Sequence, residues 1–197
     1  MFTGIVESTG TVTAIEDVDG GRRFVIESEP VVAGLDVGAS VSVQGACLTA
    51  TAVSATTFTV ELITETLRRT ALGSTTVGTR LNLERAMPAS GRFDGHIVQG
   101  HVDGVGVVRS LDAEGKGFRL SVECSPDIRR YIVDKGSITV DGVSLTVAGV
   151  DDDGFEVALI PHTLEVTTLG RLRASARVNL EVDILAKYVE RLMETRT

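Results

Sequence analysis

Short stretches in which apolar and polar residues alternate recur along the whole chain. An alternation of period two predicts half-buried β-strands. In the first half of the chain it predicts strands at residues 1–12, at 23–27, within 40–53 on either side of a glycine, at 57–62 and at 79–84. Short helical pieces are predicted at residues 30–37 and 65–71, and Gly73 ends the second. Six short, mostly antiparallel strands with two helical pieces predict a small closed barrel.

The pattern of the first half returns in the second half. Residues 43–49 match residues 140–146 at an offset of 97, and residues 6–12 match residues 102–108 at an offset of 96. Further matches in the same order join 62–67 to 159–164, 72–73 to 169–170 and 82–84 to 179–181. Solenoid repeats are much shorter, at about 20–50 residues, so this period predicts a duplicated domain.

The duplication divides the chain into residues 1–91, 92–183 and 184–197, with a Pro-, Ser- and Gly-containing linker at 87–91. The last segment has no counterpart in the first half. Its apolar residues follow helical spacing and predict an amphipathic helix over 184–193. This helix either caps its own barrel or meets the same helix in other subunits. A short helix is also predicted at 126–134, with Lys135 at its C-terminal end, where a cation suits the helix dipole.

Composition narrows the class of protein. The net charge of −8 argues against a nucleic-acid surface. No apolar run approaches the roughly 18 residues of a membrane helix, and the first residues lack the features of a signal peptide. Cys47 and Cys124 lie far apart and predict free thiols in a reducing compartment, which favours a cytoplasmic location. Two cysteines and three scattered histidines do not indicate a metal site.

Small polar side chains occupy matched positions in the two copies: Cys47 and Thr49 with Ser144 and Thr146, and Thr66 with Thr163. Period-two alternation places Cys47 and Thr49 on one face of their strand and Leu48 on the other. A thiol and a hydroxyl on one face can bind or react, although a half-buried strand with small polar side chains explains a single copy equally well. The repetition of these positions favours a pair of related binding sites.

Several motifs can now be read together: residues 1–7 (Met-Phe-Thr-Gly-Ile-Val-Glu), 45–49 (Gly-Ala-Cys-Leu-Thr), 65–67 (Glu-Thr-Leu), 95–96 and 100–102 (Gly-His and Gly-His-Val), 142–146 (Gly-Val-Ser-Leu-Thr) and 160–164 (Ile-Pro-His-Thr-Leu). In this order and across the whole chain they resemble the riboflavin synthase family of the alpha-chain type. Each motif alone is weak, whereas the ordered set is highly specific.

The resemblance implies an all-β fold of two tandem six-stranded Greek-key barrels followed by a C-terminal α-helix. It implies that two molecules of 6,7-dimethyl-8-ribityllumazine dismutate by transfer of a four-carbon unit, giving riboflavin and 5-amino-6-ribitylamino-pyrimidinedione. It implies that no metal or external cofactor takes part. Each barrel is expected to bind one lumazine, in a homotrimer whose active sites lie between subunits. An association with lumazine synthase is left open.

The resemblance also implies which residues contact the substrates. In the first barrel they are Gly4, Ile5, Val6, Cys47, Leu48, Thr49, Glu61, Leu62, Ile63, Thr64, Glu65 and Thr66. In the second barrel they are Gly100, His101, Val102, Lys135, Ser144, Leu145, Thr146, Ala158, Leu159, Ile160, Pro161, His162 and Thr163.

Positions tied to activity in the family correspond here to Phe2, Ser40, Cys47, His101, Ser144, Thr146 and Asp183. His101 is a natural proton shuttle near neutral pH, and Cys47 is a natural nucleophile where its thiolate is populated. The alternatives are an inert, buried Cys47 and an Asp183 that only caps the last helix. His96 matches no such position and is interpreted as structural, and Cys124 is interpreted as inert.

Two other classes of protein compete with the enzyme. Lumazine proteins of luminous bacteria resemble the family but hold one chromophore and do not catalyse, and they lose pocket groups in one barrel. A duplicated barrel can also serve only as an oligomeric scaffold. Here both pockets look complete, including Cys47 and His101, which favours the enzyme.

Overall fold

The computed structural model describes residues 1–194. Over these residues two closed antiparallel barrels form, and each contains six strands. The strands of the first barrel are β1 (Ser8–Val18), β2 (Gly21–Glu27), β3 (Ser40–Val43), β4 (Ala46–Val53), β5 (Thr57–Ile63) and β6 (Arg80–Arg85). The strands of the second are β7 (Gly104–Glu114), β8 (Gly117–Glu123), β9 (Ser137–Val140), β10 (Val143–Val150), β11 (Gly154–Leu159) and β12 (Arg177–Val182).

The two barrels share one topology. The first runs β1-β2-β5-β4-β3-β6 around its circumference, and the second follows the same circular order with the matching strands. Even the β-bulges repeat, since β1 shifts register after Val12 and β7 after Val108. Bulges bend a strand and help a small sheet to close. The predicted duplicated barrel fold is confirmed.

Each barrel encloses its own core, because one face of every strand is apolar. Val12, Phe24 and Val60 are fully buried in the first core, and Val108 and Phe155 hold similar places in the second. Closure pairs all strand edges, which leaves the interior to hydrophobic side chains and the outer faces and loops to polar ones.

Short helices connect the strands: α1 (Glu29–Val32), α2 (Thr64–Arg69), α3 (Pro126–Arg129) and α4 (Pro161–Val166), with 3₁₀ turns at Ala71–Ser74 and Thr168–Arg171. The helices predicted at 30–37 and 126–134 were too long. Gly34 follows closely on α1, and glycine is a poor helix former. After α3, Lys135 has a left-handed backbone with φ +63, and its N–H donates to Val147 O at 3.0 Å. The interpretation of Lys135 as a helix C-terminal charge was therefore wrong.

The first strand begins at Ser8, seven residues later than predicted. Residues 1–7 instead lie between the two halves, with hydrogen bonds to each. Phe2 N–H donates to Val98 O at 2.8 Å, and Val98 N–H donates back to Phe2 O at 3.2 Å. The apolar alternation at the chain start therefore reflects a buried anchor, since Phe2 is fully buried, and not a barrel strand.

The two barrels pack through reciprocal hydrogen bonds between matched residues. Asn82 Nδ2 donates to Asp141 O at 2.9 Å, and its counterpart Asn179 Nδ2 donates to Gln44 O at 2.8 Å. Each of these asparagines also accepts a backbone N–H of the opposite half through its Oδ1. This symmetry brings the turns before β4 and β10 together, and those two strands carry Cys47 and Ser144.

The predicted terminal helix is confirmed as α5 (Ile184–Glu194); residues 195–197 of the predicted segment lie outside the described residues. Its polar face meets the second barrel, where Lys187 pairs with Asp103 and Glu190 accepts a 2.5 Å hydrogen bond from Tyr131 Oη. On the other face Leu185, Tyr188 and Val189 are more than half exposed. Within residues 1–194, no helix has both the length and the apolar character needed to cross a membrane.

Candidate active site

The segment that precedes each barrel lies against the opposite barrel. We call residues 3–6 and 99–102 the crossing segments. Gly4 O accepts the backbone N–H of Ser144 at 2.7 Å, and Gly100 O accepts the backbone N–H of Cys47 at 2.8 Å. Val6 packs against the core of the second barrel and Val102 against the core of the first. Each crossing segment therefore completes the candidate site of the other half.

This arrangement corrects the assignment of contacts to barrels. The resemblance grouped the first crossing segment with Cys47 and the second with Ser144. The structure exchanges them, so that His101 lies beside Cys47 and Ile5 follows the glycine that contacts Ser144. Sequence order misleads here because each crossing segment contacts the opposite barrel before the chain enters its own barrel.

We call β4, which carries Cys47, and β10, which carries Ser144, the site strands. Glycine is required where each crossing segment meets a site strand. Gly4 has φ +77, and a Cβ there would lie 2.6 Å from Ser144 Cβ. Gly100 has φ +74, and a Cβ there would lie 2.6 Å from Cys47 Cβ and 2.7 Å from Cys47 N. Side chains avoid such left-handed backbone conformations. The close approach therefore fixes where the next residues, Ile5 and His101, stand.

A cavity of about 190 Å³ opens on the first barrel beside this contact. It is lined by Ala46, Cys47, Glu65, Thr66, Arg69, Thr70, Gly100, His101 and Val102. Glu65 pairs with Arg69 at 2.5 Å and with Arg68 at 2.8 Å, and hydrogen bonds from Arg69 and Arg68 lower the pKa of its carboxyl group. The lining therefore combines a charged pair with the thiol of Cys47, the hydroxyl of Thr66 and the imidazole of His101.

The predicted alternation along β4 is what the structure shows. Leu48 is 6% exposed and belongs to the core, whereas Cys47 is half-buried and Thr49 is exposed. In β10, Ser144 is half-buried and Thr146 is exposed. Reactive or hydrogen-bonding atoms are thus presented on the outer face of both barrels, at the strand that a crossing segment covers.

His96, which the sequence led us to interpret as structural, lies at the second candidate site. Its Nδ1 lies 2.7 Å from Ser144 Oγ, and the residue is only 8% exposed. Burial lowers the pKa of this imidazole, and the Asp183 carboxylate opposes that shift. Nε2 is buried and has no hydrogen-bond partner among residues 1–194. The repeat gave no signal for His96, because an offset of 96 would place its counterpart before Met1.

Four further residues with predicted roles lie outside the first cavity. Phe2 is fully buried and anchors a crossing segment, and Ser40 lies on β3 opposite Thr49. The side chain of Asp183 accepts the Leu185 N–H at 3.0 Å, as expected of a helix cap. Its negative charge also acts to raise the pKa of His96. Lys135 is exposed in the turn before β9.

The predicted contact segments 61–66 and 158–163 leave the barrels at matching places and lead into α2 and α4. Ile63 and Ile160 are 64% and 61% exposed, so each presents an apolar surface beside a half-buried threonine. Leu62 and Leu159 point into the cores. Glu61 forms an ion pair with Arg23, and Thr64 Oγ1 donates to Gly20 O at 2.9 Å. Of the remaining members, Ala158 lies on β11, and Pro161, His162 and Thr163 begin α4, where Thr163 alone is half-buried.

The two cysteines lie in different parts of the molecule. Both are free and half-buried. Burial raises the pKa of Cys124, which directly follows the end of β8. Burial thus favours the thiol form of Cys124, and the residue does not line the cavity beside Cys47. Within the described part of the chain, no group of three or more His, Cys, Asp or Glu residues could hold a metal ion.

A duplicated barrel with one candidate site per half defines a class of protein that handles two related ligands. Comparison with known families agrees with this class. The lumazine binding domain matches the chain twice, at residues 3–86 and 99–183. These ranges contain both crossing segments and both site strands.

Curated relatives extend the match to the full chain. Riboflavin synthase of Mycobacterium tuberculosis is 47% identical over 99% of this chain and 99% of its own length. Riboflavin synthase of Actinobacillus pleuropneumoniae is 42% identical over 98% of this chain and 90% of its own length, and that of Bacillus subtilis is 38% identical over the same shares. The chain belongs to the riboflavin synthase family of enzymes.

Solved structures confirm the fold. LumP complexed with riboflavin superposes with a TM-score of 0.85 at 25% identity, covering 92% of this chain and 99% of LumP. LumP complexed with 6,7-dimethyl-8-(1'-D-ribityl) lumazine gives a TM-score of 0.84 at 22% identity with the same coverage. Because identity to the curated synthases is much higher than identity to LumP, the alternative of a non-catalytic binding protein is not favoured.

Proposed function

We propose that this chain converts two molecules of 6,7-dimethyl-8-ribityllumazine into riboflavin and 5-amino-6-ribitylamino-pyrimidinedione. The observation that carries the proposal is a pair of matched sites, each completed by a crossing segment, that differ in their reactive groups. Cys47 and His101 stand at the first site, and Ser144 with His96 stands at the second. A dismutation needs two copies of one substrate in unlike roles, and such a pair can give one lumazine the role of donor and the other that of acceptor.

The groups present match the steps of the reaction. The donor lumazine loses a proton from its C7 methyl group, and the acceptor is activated by a nucleophile that adds at C7. Because burial lowers the pKa of His96, its imidazole is neutral at neutral pH and can take a proton relayed by Ser144 Oγ, 2.7 Å away. We assign the donor to the second site and the acceptor, with Cys47 as the candidate nucleophile and His101 as the candidate proton shuttle, to the first.

Positioning supplies much of the rate in a reaction between two bound molecules, with up to roughly 7–11 kcal/mol in well-aligned cases. The four-carbon unit leaves one lumazine and joins the other, and the atoms of two substrates balance those of the two products. The reaction therefore needs no oxidant, and the proposal includes no metal and no external cofactor. The exposed Ile63 and Ile160 offer apolar surface for the flat rings, and the half-buried Thr66 and Thr163 offer hydrogen bonds at their edges.

The proposal includes a homotrimer in which the first site of one subunit faces the second site of its neighbour. The exposed apolar face of α5, with Leu185, Tyr188 and Val189, supports assembly through this helix. Light scattering should give three times the chain mass of 20.8 kDa. A monomer would contradict the arrangement. We expect the assembly to work in the cytoplasm, and co-sedimentation with a lumazine synthase tests an association between the two enzymes.

The test of the proposed function is turnover of the lumazine alone, in the presence of a chelator and without any added cofactor. Riboflavin should appear at half the rate at which the lumazine disappears. Tight lumazine binding without riboflavin formation would instead show a chromophore-binding protein. A protein that neither binds nor converts the lumazine would be a scaffold.

A further inference from the structure

Two buried carboxylates hold the crossing segments in place. Glu84 on β6 is 5% exposed and Glu181 on β12 is 4% exposed, and the two residues match at the offset of the duplication. Glu84 Oε1 accepts the N–H of Thr3 at 2.7 Å and its hydroxyl at 2.8 Å, while Oε2 accepts the N–H of Gly4 at 2.9 Å. Each carboxylate thus binds the backbone of a crossing segment through both of its oxygen atoms.

Glu181 repeats the arrangement in the second half. Its Oε1 accepts the N–H of Gln99 at 2.7 Å, and its Oε2 accepts the N–H of Gly100 at 2.9 Å. Within residues 1–194 neither carboxylate forms an ion pair with Lys or Arg. Burial raises the pKa of both groups, that of Glu181 to about 6, and the backbone N–H donors oppose the rise. Burying a carboxylate without a cation is costly, so a role beyond packing is indicated.

The glycine of each crossing segment links a buried carboxylate to a site strand, because its N–H and its C=O form one hydrogen bond each. Glu181 fixes Gly100 N–H, and Gly100 O in turn accepts Cys47 N–H at 2.8 Å. In the same way Glu84 fixes Gly4 N–H, and Gly4 O accepts Ser144 N–H at 2.7 Å. Neither glutamate lines the cavity beside Cys47. Their position behind the crossing segments separates them from the groups that would touch substrate.

We propose that Glu84 and Glu181 are positioning residues, and that each one sets the distance between a crossing segment and the site strand of the opposite barrel. Glu181 places His101 beside Cys47 at the first site, and Glu84 places Ile5 beside Ser144 at the second. Because the two carboxylates serve different sites, changing one should affect one lumazine and not the other. This inference rests on the proposed function, since it assigns both carboxylates to the same pair of lumazine sites.

The test compares Glu84→Gln and Glu181→Gln with two matched core variants, Val12→Ala and Val108→Ala. The valines occupy equivalent, buried core positions in the two barrels, so these variants lower stability without touching a crossing segment. A glutamine keeps the size of glutamate, but its NH₂ group cannot accept one of the two backbone N–H groups. The readouts are the melting temperature, kcat and KM for the lumazine, and calorimetric titration with an unreactive 8-ribityllumazine that lacks the C7 methyl group.

We expect each Gln variant to fold cooperatively, to lose kcat by tenfold to a hundredfold, and to weaken one of two lumazine sites at least tenfold, with both sites weakened in the double variant. The valine variants should melt earlier but keep kcat and both affinities within twofold. Gln variants that melt earlier yet behave like the valine variants in kcat and affinity would overturn the proposal. Wild-type protein without turnover would instead overturn the proposed function, and the titration would still test the positioning.

A milder variant decides the case in which the Gln variants do not fold. Thr3→Val preserves the shape of the side chain and removes only the hydroxyl that donates to Glu84 and accepts Ile5 N–H at 3.2 Å. It should weaken one lumazine site severalfold and leave the other unchanged. Equal affinities at both sites in this folded variant would contradict the positioning role of Glu84.

Discussion

Replacing Gly100 by alanine tests how closely the second crossing segment must approach Cys47. The added Cβ would lie 2.7 Å from Cys47 N and 2.6 Å from Cys47 Cβ. Ordinary contacts between such atoms begin at about 3.5 Å, so the segment must retreat by roughly 0.8 Å. Displacement of a reacting group by about 1 Å can cost a hundredfold in rate. We therefore expect Gly100→Ala to lower kcat by about a hundredfold while the protein remains folded.

The backbone conformation of Gly100 adds a second cost, which a control variant isolates. An alanine with positive φ costs about 1–2 kcal/mol. Gly78 has φ +89, but nothing lies within 4 Å of a Cβ built there. Its counterpart in the second half, Ser175, already carries a side chain at φ +70. Gly78→Ala should therefore show the loss of stability from backbone strain and no loss of activity.

The assay measures riboflavin formation from saturating lumazine, together with urea unfolding of wild type and both variants. Gly78→Ala should retain kcat within twofold, and Gly100→Ala should lose about two orders of magnitude at a temperature where both are folded. Equal kcat values for the two variants would refute the reasoning, because the close contact with Cys47 would then have no bearing on the site.

Three further predictions follow from the site and the interface. Cys47→Ser should lower kcat more than it weakens lumazine binding, and single-turnover absorbance should lose any thiol adduct; an unchanged kcat would exclude the thiol nucleophile. His96→Asn should lower kcat at least tenfold and flatten the acidic limb of the pH–kcat profile, whereas an unaltered profile would remove His96 as the base. Burial raises the pKa of Asp141 to about 7 from 3.8, so its contribution to stability is full below about pH 4 and falls by up to about 4 kcal/mol as pH rises through 7. Asp141→Asn should reduce the fall in unfolding free energy between pH 5 and pH 8 measured in urea, and an identical fall would contradict the assignment.

The barrels could be predicted from sequence because their signals are local and occur twice. Alternation along β4 predicted that Leu48 points inward and that Cys47 and Thr49 point outward, and burial agrees. The repeat of Gly45 at Gly142 fixed the register of the two halves. The apolar periodicity of residues 184–193 likewise predicted a helix, and α5 covers all of them.

The partners of the site residues could not be predicted from the same signals. Alternation at residues 1–7 reads as a strand, and nothing in that pattern shows that Gly4 contacts Ser144 of the other half. His96 lies in a loop without period and without a counterpart, so only the folded chain reveals its Nδ1 beside Ser144 Oγ. Glu84 and Glu181 read as ordinary polar ends of strands, because their burial depends on the crossing segments that cover them.

Calorimetric titration with the unreactive 8-ribityllumazine can count the lumazine sites in wild type, Gly4→Ala and Gly100→Ala. We expect two sites per chain in wild type, because each crossing segment completes one barrel's site. Each glycine variant should keep one site at wild-type affinity, and the double variant should keep neither. A single site in wild type, or two intact sites in both variants, would contradict the claim that the crossing segments build a pair of lumazine sites.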